Sequence, residues 1–151
     1  MASRDVSAVE VGQAYLELHQ RVHRIVDQAM TAAGLSLARA KVLMRLSDRG
    51  PMNQATLAGL LNFAPRSVTD IVDVLERDGL ASRAEDQHDR RARVVSLTPA
   101  GSDALEMAQI VRRKAMEEVF GSLTATERAR LAALLSTIRA NLLDGDNLCD
   151  H

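Results

Sequence analysis

The sequence predicts a mainly α-helical fold with a small β-hairpin, and three observations carry that prediction. Apolar residues recur at steps of three and four along most of the 151 residues. Two short helical segments, 54–61 and 65–78, are joined by Asn62-Phe63-Ala64. Directly after them, two strand-like runs, 80–84 and 94–97, flank a charged tip, Glu85-Asp86-Gln87-His88-Asp89-Arg90-Arg91. Helix, turn, helix, strand, charged tip, strand is the order of a winged helix-turn-helix, in which the second helix enters the major groove. Long helical segments stand on both sides of this module.

The first helix is expected near Ser7, because Ser7 and Glu10 have capping-box spacing. Ala8, Val11, Tyr15, Leu18, Val22, Ile25 and Ala29 then form a narrow apolar seam, ended by Gly34. Such a seam serves either as a core-facing stripe or as a subunit interface. Ser36 caps a second helix with Leu37, Ala40, Val42, Leu43 and Leu46 on its apolar side, broken by Asp48-Arg49-Gly50-Pro51. Pro51-Met52 reads as a short edge strand, and Asn53 caps the short third helix.

The fourth helix starts at Pro65, where a missing N–H costs nothing, and Gly79 supplies the left-handed residue that ends it. Val68, Ile71, Val72 and Leu75 make its apolar side. The other side carries Pro65, Arg66, Ser67, Thr69 and Asp70, of which the four polar side chains can hydrogen-bond base edges or phosphates. Val94-Val95-Ser96-Leu97 is the β-branched returning strand. Thr98-Pro99 then opens a fifth helix with Ala104, Leu105, Ala108, Val111, Ala115, Met116 and Val119, stopped by Gly121 after Phe120. A second capping box, Thr124 with Glu127, starts a sixth helix bearing Leu131, Leu134, Leu135, Ile138 and Leu142. Asp144-Gly145-Asp146 ends it, and 145–151 is expected to be a mobile tail.

Composition narrows the function classes. Hydrophobic residues make up 46%, enough for a packed core. Aromatics are 2%, only Tyr15, Phe63 and Phe120, too few for a stacking platform that binds single strands. Net charge is −1, but residues 35–99 hold ten Arg/Lys against eight Asp/Glu, so +2 there leaves −3 for the remainder. Arg90, Arg91 and Arg93 fall within four residues at the hairpin tip, the sharper electrostatic signal. Cys149 is the only cysteine, so neither an intrachain disulfide nor a thiolate-rich metal site is expected. The amino terminus lacks a signal-peptide core and no apolar run reaches the roughly 18 residues of a membrane span, so no membrane partner is expected and the cytoplasm is the default compartment.

In order and spacing, Leu75-Glu76-Arg77-Asp78-Gly79-Leu80, Arg83, Asp86, Asp89-Arg90-Arg91, Val95 and Leu97-Thr98-Pro99-Ala100-Gly101 resemble the MarR-type transcriptional regulators, over residues 11–143. The resemblance implies a homodimer with terminal helices interleaved about a two-fold axis, each subunit offering a winged module to double-stranded DNA. It divides the chain into a DNA-binding module, 36–98, and dimerisation helices, 7–34 and 99–144. It implies that helix 65–78 reads the major groove and that Asp89 braces Arg91, which enters the minor groove. The physics agrees: an arginine suits the negative potential of a narrow minor groove, and a carboxylate can fix its guanidinium. It also implies a repressor on a pseudo-palindromic operator, released by a small anionic or phenolic effector held between the dimerisation helices and the winged module. Arg39, Arg45, His19 and His23 are the residues that could border that crevice, with the ligand contacts themselves unknown.

Three departures from the pattern bear on operator sequence and affinity. His88 stands where the wing often has another arginine, Ala64 where a polar cap is usual, and Asp70 on the reading face, where an acid repels phosphate unless it accepts from cytosine N4.

Other readings meet specific objections. The wing arginines taken alone describe any solvated turn; attached to a helix-turn-helix with Asp89/Arg91 spacing they describe a DNA contact. A winged-helix protein–protein adaptor has no use for that pair. His19 and His23, at i and i+4, can share a metal, which would make a metal-sensing regulator; no third ligand is evident beside them, although Glu17, Asp27 or a distant acid could fold in, and no metal or cofactor is expected. Cys149 has no flanking cation to activate it as a sensor. An enzyme lacks its marks here: no glycine-rich phosphate loop, nucleophile elbow or metal-ligand pair with a flanking acid occurs.

Overall fold

The computed structural model describes residues 5–88 and 93–146. Its elements are α1 (Ala8–Ala32), α2 (Leu37–Arg49), β1 (Met52–Asn53), α3 (Gln54–Leu61), α4 (Pro65–Arg77), β2 (Ala81–Glu85), β3 (Arg93–Leu97), α5 (Pro99–Phe120) and α6 (Ala125–Asp146). The fold is mainly α with a small antiparallel sheet in the order β1-β3-β2. The chain divides into two units, 1–115 and 116–151.

The caps lie where side-chain chemistry places them. Ser7 and Glu10 close a reciprocal capping box on α1, and Ser36 Oγ and Asn53 Oδ1 accept from the N–H groups of Arg39 and Thr56. Helix α4 has no side-chain cap at Ala64 and relies on Pro65. It ends in a Schellman arrangement: Gly79, at φ 73°, donates to the Glu76 carbonyl, and Leu80 donates to the Leu75 carbonyl at 2.8 Å. That last bond makes Leu80 part of the helix cap, so β2 starts at Ala81, one residue later than the sequence suggests. Pro51 donates nothing to a ladder, and β1 likewise starts one residue late, at Met52.

The core of the first unit is built from α2, α3, α4 and the sheet. Val42, Leu43, Leu57, Val68, Val72, Leu75 and Val95 are fully buried. Each such side chain contributes about 1.5–3 kcal/mol of burial, so the apolar stripe of α4 alone anchors the helix firmly. Of the two roles open to the α1 seam, the amino-terminal part does not serve as a core-facing stripe within this chain. Val26 and Met30 are its buried residues, whereas Val11, Tyr15, Leu18 and Ile25 are each close to half exposed. Only the carboxy-terminal half of α1 meets the core; there Asp27 Oδ1 accepts from the Leu37 N–H at 2.8 Å, joining α1 to the start of α2.

Gly101 fixes the entry of α5. A Cβ there would stand 1.9 Å from the Leu80 carbonyl oxygen. Thr98 holds the same corner, donating from Oγ1 to the Gly79 carbonyl at 2.7 Å and accepting from the Gly101 N–H at 3.0 Å. In the second unit the Thr124–Glu127 capping box opens α6. The helix runs through Asp144 and Gly145 to Asp146, the last described residue, so the stop and tail expected there fall at and beyond the edge of the described residues. Leu134, Leu135, Ile138 and Leu142 are exposed along it. Among the described residues, no helix is long and apolar enough to cross a membrane.

Candidate nucleic-acid interface

Helix α4 separates its two faces sharply. Val68, Val72 and Leu75 have no exposed surface, while Pro65, Arg66, Ser67, Thr69 and Asp70 are all exposed. These five share the amino-terminal part of the helix, the part of a recognition helix that reaches base edges. The turn before it is tight. Asn62 adopts the left-handed conformation at φ 52°, and the Phe63 N–H returns to the Ala58 carbonyl at 3.0 Å. Asparagine tolerates that conformation, so the turn needs no glycine.

Across this turn the two helices share a side-chain bond that the sequence did not disclose. Gln54 Nε2, at the start of α3, donates to Thr69 Oγ1 at 2.9 Å. The same hydroxyl donates to the Pro65 carbonyl at 3.2 Å. Thr69 is therefore held from its own helix and from its neighbour.

The opposite end of α4 is tied to the wing. Arg83 on β2 stands opposite Val95 of β3 and on the same side of its strand as buried Ala81. Its guanidinium lies under α4, 10% exposed, with Nη1 donating to Glu76 at 2.9 Å and Nη2 to Asp73. Asp73 and Glu76 are three apart, so one arginine fork meets both. The Arg83 backbone N–H also donates to Glu76 at 3.3 Å. Arg83 is thus held by two carboxylates of the module, while its buried Nε has no hydrogen-bond partner among the described residues. The i, i+3 pair of acids beside a strand arginine was the available sequence signal for this contact.

Helix α2 joins the same end. Arg39 pairs with Asp78 at 2.9 Å and donates to the Gly34 carbonyl at 2.7 Å. Arg39, expected as a possible neighbour of an effector crevice, clamps the α1–α2 turn to the end of α4. Arg45 is half-buried, and its Nε has no hydrogen-bond partner among the described residues.

At the wing, Arg93 is exposed and registers opposite Glu85. Asp89, Arg90 and Arg91 lie outside the described residues, as does Cys149. His88 is exposed, and its N–H donates to Asp86 at 2.7 Å. His19 and His23 are exposed on α1, in file with Tyr15, with ring centroids 6.2 Å apart. No group of three potential metal ligands occurs among the described residues.

The architecture and the order of its polar groups match a known family: the model of the MarR family covers residues 35–92. Over that segment, 58 of the 151 residues, the chain is similar to the MarR family. The HTH-type transcriptional regulator YdgJ of Bacillus subtilis is 27% identical over 82% of this chain and 76% of its own. A mutant of MarR from E. coli, solved in complex with operator DNA, superposes with a TM-score of 0.69 at 25% identity, covering 85% of this chain and 92% of that one. BpsR of Bordetella bronchiseptica, solved in a study of how 6-hydroxynicotinic acid regulates its DNA binding, gives a TM-score of 0.69 at 25% identity over 86% of this chain and 98% of its own.

Proposed function

We propose that this chain is a transcriptional regulator of the MarR type, a repressor that binds a pseudo-palindromic operator as a homodimer and is released by a small anionic or phenolic effector. The observation that carries the reading is the division of α4: a fully buried stripe of Val68, Val72 and Leu75 beneath an exposed row of Arg66, Ser67, Thr69 and Asp70. A helix so anchored presents polar groups rigidly, which base readout requires. In this reading the module 36–98 contacts DNA through Pro65, Arg66, Ser67, Thr69 and Asp70 in the major groove and Asp89, Arg90, Arg91 and Arg93 at the wing. The segments 7–34 and 99–144 supply the dimer contacts. Support for them comes from the exposed apolar side chains Tyr15, Leu16, Leu18 and Ile25 on α1 and Leu134, Leu135, Ile138 and Leu142 on α6. A solvated monomer has no reason to carry apolar residues in such rows, whereas a second copy of the chain covers them economically. The MarR complex with operator DNA and the regulation of BpsR by an aromatic acid are in keeping with this reading.

Mobility shifts on genomic fragments over a range of salt, with footprinting of retained fragments, test it together with sedimentation. The expected result is one protected, two-fold symmetric site, a dimer at micromolar concentration and release by an aromatic carboxylate. Binding without sequence preference, or a well-folded monomer at micromolar concentration, overturns it. A winged-helix adaptor would protect no site at all.

A further inference from the structure

The bond between Gln54 and Thr69 points to a residue of α3 that decides what α4 can read. A threonine hydroxyl has one proton and two lone pairs. Here the proton goes to the Pro65 carbonyl at 3.2 Å, and one lone pair takes the Gln54 amide N–H at 2.9 Å. The amide must present its nitrogen, because the hydroxyl has no second proton to give to the amide oxygen. What Thr69 has left for a base is one lone pair and a methyl group. It can accept but not donate.

The major-groove edges of the bases respond differently to such a group. Cytosine and adenine offer an amine, and thymine offers its methyl, but guanine presents only the acceptors N7 and O6. An acceptor held against guanine is repelled, and a Thr69 free to turn its proton outward would tolerate it. We propose that Gln54 is a positioning residue for specificity: together with the Pro65 carbonyl that takes the proton, it holds the Thr69 hydroxyl as an acceptor and so excludes guanine from the operator position that Thr69 faces. The inference rests on the reading of α4 as the recognition helix and adds a residue outside it. Gln54 needs no contact with a base for this role. It acts through the orientation of its neighbour's proton.

The experiment is selection of operators from a randomised pool by the full-length protein, followed by affinities for every base pair at each preferred position. The proteins compared are the parent, Gln54→Ala, Thr69→Ala and the double variant. The Gln54–Thr69 bond is exposed, and the α3 cap comes from Asn53, so the variants keep the fold; melting curves verify it. Gln54→Ala is expected to raise the relative affinity for guanine at one position by about tenfold, the usual scale of one mismatch, and to leave other positions unchanged. Thr69→Ala should flatten preference at that same position, and the double variant should match Thr69→Ala. A uniform loss across all sequences with Gln54→Ala, a shift at a different position from Thr69→Ala, or additive effects in the double variant would overturn the proposal while leaving DNA reading by α4 intact. A parent without any sequence preference would instead overturn the DNA-reading assignment, and this inference with it.

Discussion

Arg83 of β2 and Glu76 of α4 meet at 2.9 Å, and the same guanidinium reaches Asp73 one turn earlier on the helix. The wing and the helix beside it are thereby one rigid piece, joined by a planar fork rather than by apolar packing alone. Arg83 is 10% exposed while its two partners are about half exposed, so water screens the carboxylates and only partly reaches the cation.

Arg83→Ala is expected to lower stability by roughly 1–2 kcal/mol, between the worth of exposed and buried pairs. Arg83→Lys should recover little, since one ammonium cannot serve two carboxylates in a fork. Urea unfolding of both variants measures this. Operator binding should weaken with an unchanged dependence on salt, because neither Nη is left to meet a phosphate. A shallower salt dependence would mean that Arg83 touches DNA.

Gly101 offers a steric test of the corner between the wing and α5. An added Cβ would overlap the Leu80 carbonyl oxygen and stand 2.9 Å from Leu97 Cδ1. Because the obstacle is backbone, Gly101→Ala should cost about 3 kcal/mol, the upper end of overpacking penalties. Gly59 in α3 is the control: a Cβ there meets nothing within 4 Å. Gly59→Ala should therefore stabilise by about 0.5–1 kcal/mol through helix propensity. Denaturation midpoints of the two variants should move in opposite directions.

The capping box of α6 predicts a local acid response. The Thr124 N–H and hydroxyl both donate to Glu127 at 2.8 Å, and first the backbone bond, then the hydroxyl, hold its carboxyl below the ordinary value of 4.5. A depressed carboxyl contributes stability that is present above its unfolded value and lost as pH falls through its folded value. The start of α6 should accordingly fray only below the ordinary carboxylate range. Carbon-detected NMR titration of Glu127 checks this, and Thr124→Ala should move the midpoint upward without abolishing the shift, since the backbone donor persists. An upward or unshifted midpoint in the parent would contradict the box.

At the wing, the proposed division of labour between Asp89 and Arg91, both outside the described residues, is testable in solution. Arg91→Ala should weaken operator binding and reduce the slope of log affinity against log salt by about 0.9. Asp89→Ala removes a negative charge, so simple electrostatics favours tighter binding; loss of a brace favours weaker binding. We expect weaker binding. Isotherms at several salt concentrations decide, and an Asp89→Ala variant as tight as the parent would reduce the wing arginines to a diffuse positive patch.

The sequence by itself determined the elements, because their signals are local. Ser7 with Glu10, Asn53, Pro65, Gly79, Thr98-Pro99 and Thr124 with Glu127 act within a turn of the bond they satisfy, and each marks a boundary that the structure keeps within a residue. The exposed row Arg66, Ser67, Thr69 and Asp70 was legible for the same reason, since a period of 3.6 assigns faces without knowledge of partners. What only the tertiary structure decided is which polar groups are spoken for. Arg39 is joined to Asp78 across 39 residues, Gln54 to Thr69 across 15, and Arg83 to Asp73 across 10. Spacing such as that of Asp73 and Glu76 can hint at such a pair but does not fix its partner, because an arginine or glutamine stem can reach in several directions and its bond depends on how the elements pack. For α1, too, packing decided: Val26 and Met30 are buried while the neighbouring seam stays exposed, since only half of the helix reaches the core.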